Sequence, residues 1–594
     1  MNIDLSACAI GIEFGSTRIK AVLTGPDHTP LATGSYGWEN RMEDGVWVYH
    51  LEDVVTGMRA CYRALREDAE RKLGCPLRRV GAIGISGMMH GYLVLGRGFE
   101  QIAPFRTWRN TITAQAAAIL SARFGHNIPQ RWSVAHLYQA ILNGEEHVPQ
   151  LGWLVTLSVY VHHLLTGRVV VGVGEASGML AYNEADGGFD RRMVQSFDEL
   201  IAPYGFPWRL EDVLPEVLPA GADAGCLTAE GARLLDESGT LEAGIPFCPP
   251  EGDAATGMVA TNAVYPRSGS ISAGTSGFVL LVLEQPLTHW YPEVDVVATP
   301  TGKPVAMAHC NTCTTEIDAW ARLFADLLRC CGQSVDMNAL YQRLYTVALE
   351  GRPDGGGMVA FNYYSGEPLS ETAQGRPMLV RLPDAEMDLA NLMRAQLYGA
   401  LATLRLGIDL LRQKENVRID RLIGHGGFFK TPHAGQQILA DVFDVPAVVL
   451  ETAGEGGPWG MALLASYIEE IRIGLLHNGI TMLDLPNGTS LALQGAKVDL
   501  STDPAWLAEG LTDFGFDRNL YTFARDGFAP FREEYKAACV NLGRRVTFDL
   551  PEGGQGAGEA IDVDEEGRLV VRTDSGEVHV FTGEVSVHGI YGAV

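Results

Sequence analysis

Apolar and polar positions along the chain change period repeatedly, and the changes mark elements. Ala7 to Ile12 is a short apolar run, Gly15-Ser16-Thr17 supplies a turn, and Ile19, Ala21 and Leu23 alternate against Lys20, which predicts a β-hairpin. From Leu51 the residues Val54, Val55, Met58, Cys61, Tyr62 and Leu65 follow helical spacing, so an amphipathic helix is expected. A buried strand over Val80 to Ile85 ends at Ser86-Gly87-Met88-Met89-His90-Gly91. Leu151 to Leu165 reads as a mostly buried helix, Val169 to Val173 as a strand and Gly174 to Gly178 as a loop. The stretch from Asp186 to Gly244 is richer in Pro, Gly and charge and reads as the outer part of a first domain.

Further on, Phe278 to Leu283 is an apolar strand. Ile317, Trp320, Ala321, Phe324 and Leu328 mark a helix, and Leu389 to Leu411 is apolar nearly all round, hence a buried helix. Strand Arg421 to Ile423 leads into the loop Gly424-His425-Gly426-Gly427-Phe428-Phe429-Lys430-Thr431-Pro432, then a helix to Phe443 and a strand Ala447 to Leu450. Gly454 to Gly460 opens another helix. From Arg545 short alternating segments broken by glycine turns give the pattern of a small β-barrel.

Composition narrows the classes. A chain of 594 residues is too long for one core, and roughly two to four domains are expected. Hydrophobic residues at 46% and charged residues at 20% describe a globular chain. A formal charge of −27 argues against a general binder of nucleic acid or anionic membrane, which needs a basic face. No apolar stretch reaches some eighteen residues and no secretory leader is recognised, so a cytoplasmic enzyme is expected. Ten cysteines are too sparse for a disulfide scaffold, and Cys310 and Cys313 beside His309 lack the second pair of a zinc site.

Candidate chemistry concentrates between Glu251 and Gly277. Asp253 follows a glycine, where a substrate can come close, and Gly274-Thr275-Ser276-Gly277 offers amides and hydroxyls suited to phosphate. Base and cradle together point to phosphoryl transfer. The first turn adds Glu13, Gly15, Ser16 and Thr17, followed by Arg18 and Lys20. It reads either as a structural turn or as a phosphate clamp whose Glu13 holds a magnesium ion. His90, just beyond a strand's carboxyl end, is a crevice residue or a satisfied structural histidine. Trp108-Arg109-Asn110 suits a sugar or a capped helix start, and the glycines from Gly424 to Lys430 suit a nucleotide.

Three glycine-containing loops in this order resemble the FGGY carbohydrate kinases of the actin-like ATPase superfamily, over roughly residues 8 to 470. The matching residues are Gly11 to Thr17, Gly252 to Gly257, Gly274 to Gly277, Gly424 to Lys430, Gly456 to Ala465, and Phe361 to Glu367 with its Ser-Gly-Glu. The resemblance implies an α/β fold of two actin-like, ribonuclease H-like ATPase domains with an interdomain cleft, over residues 1–252 and 253–540. A small β-barrel-like module over 545–594 would follow, similar at Gly583 to Gly592 to the carboxyl-terminal module of biotin protein ligases. That module carries over a fold and no activity, with an accessory or dimer-contact role.

It further implies ATP and Mg2+, with Asp253 as catalytic base and Glu13 and Asp253 beside the metal. Gly15, Ser16, Thr17, Lys20, Gly274, Thr275 and Ser276 would lie at the phosphates, and Gly426, Gly427, Phe428 and Lys430 on the adenosine side. Met89, His90, Trp108, Arg109 and Asn110 would join Asp253 around the sugar, a ketopentose of xylulose or ribulose type or a related polyol, because Met-His-Gly is xylulokinase-like. The partners expected are a small-molecule sugar and ATP, with no nucleic acid and no membrane; a homodimer is left open. Glu13 and Glu175 stand where the family usually has Asp, and its Lys-x-x-Trp segment is unmatched near Trp132 to Tyr138. Glu13 motivates an alternative, a catalytically weak nucleotide- or sugar-binding sensor of the same fold; an ATPase acting on a non-sugar substrate is a third reading.

Overall fold

The computed structural model describes residues 3–363, 375–431, 433–449 and 456–477, and beyond these 482–484, 490–492, 536, 545–549, 555–564, 569–574, 576–580 and 586–587. Ser365-Gly366-Glu367, Pro432, Leu450, Gly454-Glu455 and the tail glycine turns at 553–554 and 566–567 lie outside the described residues. The chain divides into two compact units, Met1–Glu469 and Glu470–Val594.

In the first unit the expected hairpin forms from β1 (Ala9–Phe14) and β2 (Arg18–Thr24). With β3 (Pro30–Gly37), β4 (Ala82–Gly87) and β5 (Glu251–Gly252) it makes a sheet of order β5-β4-β1-β2-β3. β1 and β4 run parallel, as do β4 and β5, so their carboxyl ends share one edge. Every residue of β1 and β4 is buried, which is why both read as continuous apolar runs. Helix α1 (Leu51–Leu73) buries Val54, Met58, Cys61, Tyr62 and Leu65 and ends at Gly74, whose φ of 72° gives a left-handed cap.

The run from Leu151 to Leu165 corrects the expected single helix. It splits into a short strand, Trp153–Val155, paired with Leu93–Leu95, and helix α2 (Leu157–Thr166). Neither half has an exposed residue, and the lack of a clear polar face blurs the periodicity that separates strand from helix. Gly174 to Gly178, expected as a loop, begins inside the short helix α3 (Val173–Ala176). Its cause is remote: the Glu251 carboxylate accepts from the N–H groups of Gly174 (3.2 Å) and Glu175 (2.8 Å), which a helix start leaves unpaired. Helix α4 (Asp253–Ala260) follows β5 directly.

A second sheet repeats the first. β6 (Ser268–Ala273) and β7 (Gly277–Val282) form its hairpin, and β8 (Asp295–Ala298), β9 (Pro304–Cys310), β10 (Arg421–His425) and β11 (Ala447–Val448) give the order β8-β9-β7-β6-β10-β11. The hairpin, the antiparallel third strand β9 and the parallel pair β10 and β11 match the first sheet, with β8 added at an edge. Helices α5 (Thr315–Cys330), α6 (Leu389–Glu415) and α7 (Ala434–Phe443) arise where expected, α6 burying fifteen residues. Helix α8 (Gly457–His477) belongs by sequence to this half, yet Met461, Ala462 and Ala465 pack on Ala9, Val22, Ala82 and Cys248 of the first.

In the second unit β12 (Arg545–Asp549), β13 (Gln555–Val563), β14 (Leu569–Thr573), β15 (Gly576–Val580) and β16 (Ser586–Val587) form an antiparallel sheet of order β15-β14-β13-β12-β16. Val546, Ala560, Val563, Leu569, Val571 and Val580 make its core. The barrel expectation is corrected here. Among the described residues β15 and β16 stand at opposite edges, so the sheet stays open, whereas a barrel needs its edge strands joined. No helix among the described residues is long and apolar enough to cross a membrane.

Candidate active site

The shared carboxyl edge of β1, β4 and β5 gathers the candidate residues. Asp253 is the first residue of α4, and the main-chain N–H groups of Met89 and Ala254 hold its carboxylate. The Met-His-Gly turn after β4 therefore touches the expected base. Burial pushes the Asp253 carboxyl up to about 6, against the pull of those amides. Its side chain keeps partial exposure while protein crowds it, which suits a group that must meet a substrate. A side chain at residue 252 would collide with Met89 and Glu175, so only glycine lets β5 deliver Asp253 there.

Glu13, on β1, is buried and faces Lys20 across the hairpin register. Burial first, then the nearby charge of Asp253, push its carboxyl up to about 7, with Lys20 opposing. The start of α8 closes in on it: a Cβ added at Gly457 would lie 2.7 Å from the Glu13 carboxyl carbon and 3.1 Å from Thr256 Oγ1. Two more carboxylates lie behind the base. Burial pushes Glu251 up to about 7, against the amides of Glu175 and Gly174, and Glu175, fully buried, is raised well above the ordinary carboxylate range by burial.

His90 sits at φ 70°, an uncommon conformation for a residue with a side chain. Its Nδ1 is 2.9 Å from the carbonyl of Gly178, which can only accept. Burial, with the Arg131 guanidinium adding, lowers its pKa to about 3, so the ring is neutral. Nδ1 thus carries the hydrogen and Nε2 is left as an acceptor. Arg131 was not anticipated: its carbonyl accepts from Gly91 N (3.0 Å), and its guanidinium pairs with Asp295 on β8 of the second sheet. No local motif announces that pair, because its partners are 164 positions apart.

The sugar-side tripeptide divides. Trp108 is half-buried and Arg109 is exposed, lying 4.1 Å over the Trp47 ring. Asn110 is buried; its Oδ1 accepts from Trp47 N (2.8 Å), and its Nδ2 donates to Trp47 O (2.8 Å) and Thr107 O (3.0 Å). As a sugar ligand Asn110 is therefore corrected, since the fold consumes its amide.

On the nucleotide side, Ser272 and His425 are register partners on the parallel strands β6 and β10. The turn Gly274, Thr275 and Ser276 and the loop Gly426, Gly427 and Lys430 thus leave neighbouring strand ends. Gly426, Gly427 and Lys430 are exposed. Phe428 is corrected as a nucleotide contact: it is fully buried in the second core, 5.5 Å from the Tyr345 ring, and anchors the loop from below. In the first turn Gly15 and Ser16 are half-buried, while Thr17 and Lys20 are exposed. Among the described residues no three His, Cys, Asp or Glu side chains are placed to hold a metal together. Glu13 and Asp253 offer hard oxygen donors from two directions, which suits a divalent cation completed by phosphate oxygens and water.

The FGGY family of carbohydrate kinases matches in both its parts, the N-terminal domain over residues 8–260 and the C-terminal domain over 269–468. The biotin protein ligase C-terminal domain matches 542–587. A xylulose kinase of Haemophilus influenzae is 24% identical over 398 residues, 64% of this chain and 74% of that protein. Among solved structures, xylulose kinase from Rhodospirillum rubrum shares the fold at TM-score 0.63 and 18% identity, covering 87% of this chain and 99% of that one. Gluconate kinase from Lactobacillus acidophilus does so at TM-score 0.64 and 17% identity, covering 89% and 99%. With both domain matches meeting around Asp253 and the glycine loops, the chain belongs to the FGGY family of carbohydrate kinases and is a sugar kinase.

Proposed function

We propose that the protein phosphorylates a ketopentose of xylulose or ribulose type, or a related polyol, at the expense of ATP. The observation that carries this reading is the Asp253 carboxylate, held by the Met89 amide beside His90 and close enough to Glu13 to raise that carboxyl. Asp253, ionised above about pH 6, takes the proton from the attacking sugar hydroxyl. His90 Nε2 accepts a hydrogen bond from a second hydroxyl, while Met89 covers an apolar stretch of the substrate. Ser16 and Thr17 in the first turn, and Thr275 and Ser276 in the second, position the β- and γ-phosphates through main-chain N–H groups, while the N–H groups of Gly15 and Gly274 close the turns by donating to the carbonyls of Arg18 and Ser276. Glu13 and Asp253 would hold a magnesium ion, whose charge would offset that of the phosphates.

The weak-sensor reading draws on Glu13, which stands one methylene longer than the family's usual Asp. An ADP-release assay over a panel of ketopentoses, gluconate, glycerol and other polyols tests both. Sugar-dependent ADP formation supports the kinase, with the largest kcat/KM expected for a ketopentose. Tight sugar or nucleotide binding without turnover supports the sensor, and a best substrate outside the ketopentoses overturns the substrate class.

A further inference from the structure

The first phosphate turn is held from behind by two aromatic side chains. Trp38 Nε1 donates to the carbonyl of Gly15 (2.7 Å), Tyr49 OH donates to the carbonyl of Ser16 (2.6 Å), and Trp38 N donates to the carbonyl of Thr17 (3.2 Å). Three successive carbonyls are thus captured on one side. The rings stack on each other, with centroids 4.4 Å apart and planes at 26°, and both are buried. Burial pushes the Tyr49 phenol up to about 12, so it remains a donor at neutral pH. Asn110, which ties down both main-chain groups of Trp47, fixes the strand that delivers Tyr49.

In a trans peptide the C=O and N–H point in opposite directions. Anchoring the Gly15 and Ser16 carbonyls therefore turns the N–H groups of Ser16 and Thr17 away from the rings, and successive N–H groups facing one way form an anion-binding concavity. The second sheet repeats the device with other atoms. Beyond β9, Cys313 N (2.8 Å) and Thr315 Oγ1 (3.3 Å) donate to the Thr275 carbonyl, and Thr314 N (2.9 Å) donates to that of Gly274. Trp38 stands just past β3 as these residues stand past β9. Both hairpin turns are gripped by the chain that follows the third strand.

We infer that Trp38 and Tyr49 are positioning residues that preset the Ser16 and Thr17 amides for the terminal phosphates of ATP. This rests on the phosphate-binding reading of that turn. Trp38→Phe and Tyr49→Phe each remove one donor and keep the stacked rings. Binding of a non-hydrolysable β,γ-imido ATP analogue and of AMP is measured by calorimetry, with the KM for the sugar taken alongside. Each variant is expected to weaken the analogue roughly 3- to 10-fold, the range of one net hydrogen bond. AMP affinity and sugar KM stay within twofold. Equal weakening of the analogue and AMP, or no weakening of either, overturns the clamp, as does a wild type that fails to bind the analogue. The titration needs no turnover, so absence of sugar-dependent ADP formation defeats the kinase reading separately.

Discussion

The contact between Gly457 and Glu13 gives the most direct test of the site. In Gly457→Ala the new Cβ would overlap the nearer Glu13 carboxylate oxygen outright and sit 2.7 Å from the carboxyl carbon, where ordinary contact begins near 3.4 Å. The neighbour is the free end of a side chain, so it yields and the helix does not. The nearer carboxylate oxygen must retreat by roughly 2 Å, and even a displacement of about 1 Å in a tightly organised site costs about 10²-fold. kcat for sugar-dependent ADP release should fall by that order while the melting temperature changes little. Shortening the neighbour restores most of the room: Glu13→Asp withdraws the carboxylate by about one C–C bond, roughly 1.5 Å. The double variant should then recover at least tenfold over Gly457→Ala alone. Full activity in Gly457→Ala, or a double variant no better than the single one, would refute the placement of Glu13 beside the reacting phosphates.

Asp253→Asn should abolish turnover with the fold intact, and its stability relative to wild type should depend on pH. The folded carboxyl is raised from 3.8 to about 6, so the native state binds more protons than the unfolded chain across that window and loses stability as pH rises through it. The variant's advantage should be near zero at pH 4 and grow to on the order of 2–3 kcal/mol above pH 6, read from denaturant melts. The comparison must be a difference, because buried His90 and His136, both lowered to about 3, shift the absolute curve the other way. His90→Ala should raise the KM for sugar at least tenfold with the KM for ATP nearly unchanged; an equal rise in both would remove His90 from the sugar site. Asn110→Ala breaks three hydrogen bonds of a buried side chain and should cost about 2–4 kcal/mol of stability without a selective effect on sugar KM.

The chain's own pattern determined a good deal. The first hairpin, the strand after Gly277, the long helix from Leu389, the glycine loops after β6 and β10, and Asp253 beside its glycine were legible because strand alternation, helical spacing and turn residues are local properties. Tertiary structure decided the rest. Leu151 to Leu165 has no exposed residue, so its sequence holds too weak a period to separate strand from helix. α3 starts where it does because Glu251, some 76 residues away, supplies the acceptor for its first amides. Asn110 and Phe428 carry the residue types of ligand contacts, yet the fold spends one on Trp47 and buries the other. Trp38 and Tyr49 offered no signal and Gly457 only that of a glycine-rich helix start, since each matters through a carbonyl or carboxylate from a distant segment. Local chemistry names the groups a chain can use; which of them remain free for a substrate depends on the partners that packing brings to each, and that is settled only in three dimensions.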